Sequence, residues 1–221
     1  MVLDLLAFPD KAAVNRQITK KKLFESVQAN TTIKNLFTAQ VERMIWAYKL
    51  SPETINLSSK EGVEEIQIFE LFLKGSELNN ELLKTIDKAI PSPILFVIYE
   101  DQSIQYRAAY KRVSDTDSTT WVVGDYFESA WIAKRYQKSD LPQALDLKSL
   151  YHSLLQKLIP LTKRQDESIE QLLSRYQALN QLERKSEQLQ KKLHQEKQFN
   201  YKVEINAQLR DVKKQIEQLR N

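Results

Sequence analysis

The sequence predicts an α+β fold: a mostly antiparallel sheet of four or five strands with flanking helices, followed by a long C-terminal coiled-coil helix. Between residues 41 and 127, short apolar or alternating segments recur with turn residues between them, as in an antiparallel sheet. From residue 161 onward the chain has no Gly and no Pro and is rich in Gln, Glu, Lys, Arg and Leu, which favours helix. The 221 residues are therefore expected to form an α+β body, residues 1–160, and a helical coiled-coil arm, residues 161–221.

The first half of the body is predicted to hold two helices and two strands. The apolar pattern of residues 11–28 predicts a helix. Residues 41–50 fit both a strand and a helical stripe, and their aromatic and β-branched content favours the strand. Residues 64–73 predict a second strand. The stripe at residues 78–90 predicts an amphipathic helix, which Pro91 ends.

The second half of the body is built around residues 94–99, the most continuously apolar segment of the chain. Such a segment is typical of a central strand. The following elements are predicted in order as an alternating strand at 104–110, a polar loop at 115–119, a strand at 121–127, a short helix at 128–136 and a helix at 147–159. Pro160 ends the last helix and marks the boundary to the arm.

Leucines at spacings of three and four run along the arm, which is the pattern of a coiled-coil seam. A second run follows out of phase, after a shift at residues 196–206 that locally unwinds a supercoil. The predicted seam residues are Leu179, Leu182, Leu189, Leu193, Phe199, Val203, Leu209, Val212, Ile216 and Leu219. The pattern leaves two arrangements open: a parallel dimer of arms, or a single arm folded back as an antiparallel hairpin near residues 196–206.

Composition excludes several classes of protein. The chain has no Cys, which excludes a disulfide framework and a Cys-based zinc site and fits a reducing cytosol. The longest apolar run is too short to cross a bilayer, and Asp4 stands where a secretory signal carries a base. We therefore expect a cytoplasmic protein with no membrane association.

The sequence declares no catalytic or cofactor chemistry. The three glycines are isolated, whereas a phosphate-binding loop needs several at close spacing. Both histidines fall in predicted helices, with neither a Ser at a sharp turn nor a Cys nearby, so no triad is supported. We expect no cofactor, no metal site and no catalytic residue.

A basic and aromatic pattern favours a second interpretation, in which the body binds nucleic acid. Tyr and Trp alternate with cations on the predicted strands, and aromatic faces stack on bases while cations contact phosphates. The candidate residues are Lys20, Lys21, Lys49, Arg107, Lys111 and Arg112. The arm adds positive charge, because residues 161–221 hold thirteen Lys and Arg against nine Asp and Glu.

A third and weaker interpretation is a divergent metal-dependent nuclease that uses Glu65 and Asp101. Such enzymes hold the cation with two carboxylates and polarise the attacking water with a nearby Lys. Gln67 stands where that Lys is expected, which disfavours this interpretation.

Three segments resemble an uncharacterised bacterial family called domain of unknown function 4391. They are residues 46–57 (WAYKLSPETINL), residues 108–112 (AAYKR) and residues 196–206 (EKQFNYKVEIN). The resemblance covers nearly the whole chain and implies an association with helicases and DNA methyltransferases of restriction and antiphage gene islands. It carries no catalytic residue across.

These observations together lead us to expect a non-catalytic accessory subunit of a bacterial DNA-defence system. Its coiled coil would form a homo-oligomer or dock a helical partner protein, such as a helicase or methyltransferase of that system. DNA is the possible additional partner.

Overall fold

The computed structural model describes residues 4–114, 116 and 121–221. The chain divides into two compact units, residues 1–160 and residues 161–221. The predicted polar loop at 115–119 lies outside the described residues, except for Thr116.

Nine strands and five helices make up the body. The strands are β1 (Leu5–Leu6), β2 (Ala13–Ile18), β3 (Val41–Leu50), β4 (Ile66–Leu73), β5 (Ile94–Glu100), β6 (Ser103–Val113), β7 (Trp121–Glu128), β8 (Ile132–Ala133) and β9 (Lys138–Ser139). The helices are α1 (Lys20–Ser26), α2 (Thr31–Gln40), α3 (Pro52–Ile55), α4 (Asn80–Ala89) and α5 (Leu147–Leu158). These are the strands and helices of the described residues.

The main sheet is mixed and contains seven strands in the order β2-β3-β4-β5-β6-β7, with β8 paired to β6. All of its pairs are antiparallel except β4–β5, which is parallel. The α+β class is confirmed, but the prediction of four or five strands is wrong. The parallel pair arises because α4 lies between β4 and β5 and returns the chain to the end of the sheet from which β4 started.

The predicted helix at residues 11–28 is wrong in its first half. Residues Ala13–Ile18 form β2, which pairs antiparallel with β3, and the helix α1 begins only after Thr19. The Thr19 hydroxyl accepts a hydrogen bond from the backbone N–H of Lys22 at 3.4 Å, as an N-cap does. Strand pairing therefore overrides the local helical pattern.

The predicted helix at residues 128–136 is also wrong. The backbone N–H of Ser129 donates to the carbonyl of Tyr106 at 2.9 Å, and that of Lys134 donates to the carbonyl of Gln102 at 2.8 Å. These backbone groups form hydrogen bonds with β6 and with the residue just before it, and not with each other as in a helix. Ile132 and Ala133 of this segment pair with β6 as the short strand β8.

Helices cover both faces of the sheet. Neighbouring side chains on a strand point to opposite faces of the sheet. On β6 the ring of Tyr110 lies 5.9 Å from that of His152 on α5, whereas the next residue, Lys111, contacts Asp87 on α4. The helices α5 and α4 therefore lie on opposite faces. The α4 face carries a core of buried apolar side chains, which includes Phe37, Met44, Leu71, Leu82, Leu83, Ile86, Phe96 and Ile98.

The arm consists of two helices, α6 (Ile169–Gln195) and α7 (Phe199–Arg220), that pack on each other as an antiparallel hairpin. The prediction of one long helix is therefore wrong, and the folded-back alternative is the arrangement observed. Glu196 causes the break: it has extended backbone angles, and its carboxylate accepts from the backbone N–H groups of Lys197 and Gln198 at 2.7 and 2.8 Å. At the other end, α6 begins only after Ser168, whose side chain forms a capping box with Gln171.

Among the described residues, no helix combines the length and the apolar character needed to cross a membrane.

Candidate functional site

The seam of the arm is closed within one chain. Leu189 on α6 and Leu209 and Val212 on α7 form a buried cluster. Half-buried Leu182, Leu193, Ile205 and Ile216 pack against it. Leu179 is buried and Leu219 is half-buried further toward the base of the hairpin. Since the two helices bury these side chains against each other, the seam does not need a second copy.

Arg175 forms hydrogen bonds at the base of the hairpin, where α6 begins and α7 ends. Its guanidinium donates to both carboxylate oxygens of Glu167, at 2.7 and 2.8 Å, and to the carbonyls of Thr162 and Leu219 at 2.7 and 2.6 Å. Both charged side chains are almost buried, with 5% and 8% exposure. The hydrogen bonds from Arg175 lower the pKa of Glu167 to about 2. This clamp joins the start of α6 to the end of α7.

The opposite end of the hairpin, residues 196–203, exposes three large apolar side chains, and we call it the tip. Phe199 is 77% exposed, Tyr201 54% and Val203 50%. The prediction that Phe199 and Val203 lie in the seam is wrong. The α7 seam runs through Ile205. Val203 comes two residues before Ile205, so its side chain points about 200° away from that of Ile205 around a helix of 3.6 residues per turn. Val203 and Phe199, one turn before it, therefore face outward.

The body carries an open cavity with a volume of about 680 Å³, which we call the groove. Its lining includes Ile55 and Leu57 after α3, Leu150 of α5, and the segment 140–145 between β9 and α5. Leu145 on this segment is 90% exposed. Asp140 is the one charged side chain among the described residues that line the groove.

The basic residues predicted to bind nucleic acid do not form one exposed surface. Lys21 is exposed, while Lys20 is half-buried with its ammonium 5.9 Å from the centre of the Phe37 ring. Lys49 pairs with Glu65 at 3.7 Å.

On β6, Arg107 pairs with Glu128 at 2.9 Å and has a side chain only 12% exposed. Arg112 is half-buried and donates to the carbonyl of Val113. Lys111 is 2% exposed, so its ammonium lies away from any surface that a phosphate reaches.

Lys111 belongs instead to a buried network with Asp87 and Tyr126. Its ammonium lies 3.3 Å from the Asp87 carboxylate and donates to backbone carbonyls just beyond α4, those of Ile90 and Ser92. The Tyr126 hydroxyl donates to the other oxygen of Asp87. Burial raises the pKa of Asp87 to about 6, although Lys111 and Tyr126 act in the opposite direction. The network ties the C-terminal end of α4 to the sheet.

The two acids of the nuclease interpretation lie at opposite ends of neighbouring strands. β4 and β5 pair in parallel with Gln67 opposite Ile94, so the same register places Asp101 beside Lys74, nine residues beyond Glu65. At about 3.3 Å per residue this separates them by roughly 30 Å, too far for two carboxylates to share a cation. Glu65 instead accepts hydrogen bonds from Gln67 and from Ser92.

A row of cations and rings crosses the sheet on the face opposite α4. The Arg43 guanidinium lies 3.8 Å from the centre of the Phe72 ring, and Phe72 stacks on Tyr99 with 4.5 Å between ring centres. The Lys134 ammonium lies 5.1 Å from the Tyr99 ring. The Tyr99 hydroxyl donates to Glu70 at 2.9 Å. No local pattern in the sequence indicates this row, because its members come from three strands and the segment after β8.

The comparison with known proteins identifies the family of this chain. The family described as domain of unknown function (DUF4391) matches residues 6–216, nearly the whole sequence. The chain therefore belongs to this family. Neither a curated protein nor a solved structure shows significant similarity to it.

Proposed function

We propose that this member of the DUF4391 family is a non-catalytic assembly subunit that joins other protein chains through the tip of its helical hairpin. The observation that carries the proposal is the exposure of Phe199 and Val203, one turn apart on α7, at the end of an arm whose seam is already closed. Large apolar side chains grouped on a surface are typical of an interaction site.

The energetics support docking at the tip. Burial of a Phe or Val side chain contributes about 1.5–3 kcal/mol relative to exposure in water. Phe199 and Val203 contribute little to the hairpin itself because both point away from the seam. A partner that covers them gains this free energy without unfolding any part of the arm.

The non-catalytic part of the proposal rests on the polar groups of the body. Lys111 and Asp87 are buried and bonded to each other, and Glu65 and Asp101 are far apart. The resemblance described above provides the setting, a bacterial DNA-defence system in which helicases and methyltransferases are the expected partners.

The test is affinity capture of tagged protein from the bacterium that encodes it. Wild type is compared with the tip variant Phe199→Ser/Val203→Ser and with the control Gln208→Ser, which changes an exposed residue of the same helix. We expect a protein chain other than this one that copurifies with wild type and control but not with the tip variant. That chain is then purified and mixed with each form. A complex that forms equally well with the tip variant would contradict the proposal.

A second candidate function is nucleic-acid binding, which the row of Arg43, Phe72, Tyr99 and Lys134 supports. Arg43 and Lys134 flank the stacked rings, and cations in such a position suit contacts with the phosphates of a single strand. We expect a labelled single-stranded oligonucleotide to bind with an affinity that falls steeply as salt rises. Arg43→Ala/Lys134→Ala should weaken binding, whereas Lys88→Ala, at an exposed site on α4, should not. Salt-independent binding, or none, would remove this candidate.

A further inference from the structure

We propose that the tip of one copy inserts into the groove of a second copy, in a head-to-tail contact between two chains. This inference rests on the proposed function, because it gives the tip a second copy of this chain as one partner. It joins the two surface features described above.

The groove has the size and lining to receive the tip. Its volume of about 680 Å³ falls in the range of roughly 300–1,000 Å³ that is typical of pockets for small ligands, which is more than a single aromatic side chain needs. Its lining includes the buried Leu150 and the almost fully exposed Leu145. An aromatic side chain such as Phe199 that enters the groove would shield Leu145 from water.

The charges of the two surfaces are complementary. Asp140 lies in the groove and brings a negative charge to an otherwise neutral lining. Lys197 and Lys202 lie on either side of Phe199 in the tip, and the carboxylate of Glu196 is already occupied by two backbone N–H groups. Insertion of Phe199 therefore brings one or both ammonium groups toward Asp140, which favours this orientation of the two copies.

A head-to-tail contact has a defined consequence for assembly. The tip and the groove are different surfaces, so each copy that uses its tip still has a free groove. Contacts of this kind continue until a ring closes or a filament forms, whereas a two-fold symmetric contact stops at a dimer. The mass in solution should therefore rise with protein concentration beyond twice the 25.9 kDa of one chain.

The experiment measures the mass by light scattering at two protein concentrations for four full-length proteins. They are wild type, the tip variant Phe199→Ser/Val203→Ser, the groove variant Leu145→Glu and the control Gln208→Ser. We expect wild type and control to associate, and each of the two variants alone to remain at 25.9 kDa. Because all of these positions are exposed, circular dichroism should show unchanged folding for every protein.

A mixture of the two defective variants provides the decisive measurement. The groove variant retains an intact tip and the tip variant retains an intact groove, so one contact can form between them. We expect the equimolar mixture to give a complex of two chains and nothing larger. A mixture that stays at the mass of one chain overturns the proposal.

Two further outcomes separate this inference from the proposed function. If wild type has the mass of one chain at both concentrations, or if Leu145→Glu associates like wild type, the tip does not use the groove and the inference falls. The proposed function then stands as long as the tip variant fails to bind the captured chain. If the tip variant still binds that chain, the proposed function falls as well.

Discussion

The ammonium of Lys111 lies 3.3 Å from the carboxylate of Asp87, and both side chains are at most 2% exposed. This buried ion pair joins β6 to the last turn of α4. It is surrounded by hydrogen bonds from Tyr126 and to backbone carbonyls, so both charges are compensated inside the protein. Four testable predictions follow from this pair and from the other contacts described above.

Removal of the cation alone should strongly destabilise the body. Lys111→Met leaves the Asp87 carboxylate buried without its cation, with only the Tyr126 hydroxyl still donating to it, which costs about 3–5 kcal/mol. The double variant Asp87→Leu/Lys111→Met removes both charges and should recover much of this loss. Urea unfolding followed by tryptophan fluorescence measures the effect, since Trp46, Trp121 and Trp131 all lie in the body. A double variant less stable than Lys111→Met would contradict the prediction.

Tyr151→Phe should cost about 1–3 kcal/mol without changing the fold. The Tyr151 hydroxyl accepts from the backbone N–H of Lys111 at 2.9 Å and donates to the carbonyl of Ala109. Phe keeps the ring but leaves both backbone groups of β6 without a partner. The same urea titration measures the loss. His152→Ala, a change to the half-buried neighbour on α5, is the comparison.

Leu189→Ala should destabilise the arm by about 2–5 kcal/mol, because it opens a cavity between α6 and α7. Val203→Ala removes an exposed side chain and should change stability by less than about 0.5 kcal/mol. Thermal unfolding monitored by circular dichroism at 222 nm compares the two. Equal effects would mean that the seam is not buried in solution.

The hairpin should lose stability in acid through Glu167. The pKa of this residue is about 2 in the folded arm against an ordinary value of 4.5. A lowered folded pKa contributes stability that is complete above pH 4.5 and is lost as the pH falls toward 2. Glu167→Gln should flatten the pH dependence of helix melting across this range, and the exposed Glu187→Gln should leave it unchanged. A slope that persists in Glu167→Gln would assign the effect to other carboxylates.

The sequence predicts the elements whose local pattern and tertiary environment agree. The strand at 41–50 is confirmed residue for residue, because its aromatic and β-branched side chains fit a strand paired on both edges. Residues 94–99 are confirmed as a central strand, and the helix after Asp146 ends at Leu158, one residue before the predicted end. In these segments burial on the expected faces reinforces the local preference.

The failures have a common physical cause in long-range contacts. The pattern at residues 11–28 is helical, yet Ile18 pairs with Met44, which lies 26 positions later. Lys111 looked like an exposed strand cation because its partner Asp87 lies on a different element, 24 positions earlier. A polar residue within the apolar stripe of α4 was the one local signal for that pair.

The tip illustrates a different limit. Phe199 and Val203 continue the apolar spacing of the seam in the sequence, but the helix restarts at Phe199 with a new phase. The break lies at Glu196, where the backbone is extended. Neither Gly nor Pro stands there, so the sequence gives no signal for the end of the helix. Sequence periodicity left the hairpin and the parallel dimer equally open.

Closure of the leucine seam inside one chain also affects how the arm forms. The residues that meet across α6 and α7, such as Leu189 and Leu209, are separated by only a few tens of positions along the chain. Helical structures with such low contact order fold in microseconds to milliseconds, and an intramolecular step has no dependence on protein concentration. The arm is therefore expected to be complete as soon as it leaves the ribosome, even when the cell contains very few copies of the protein.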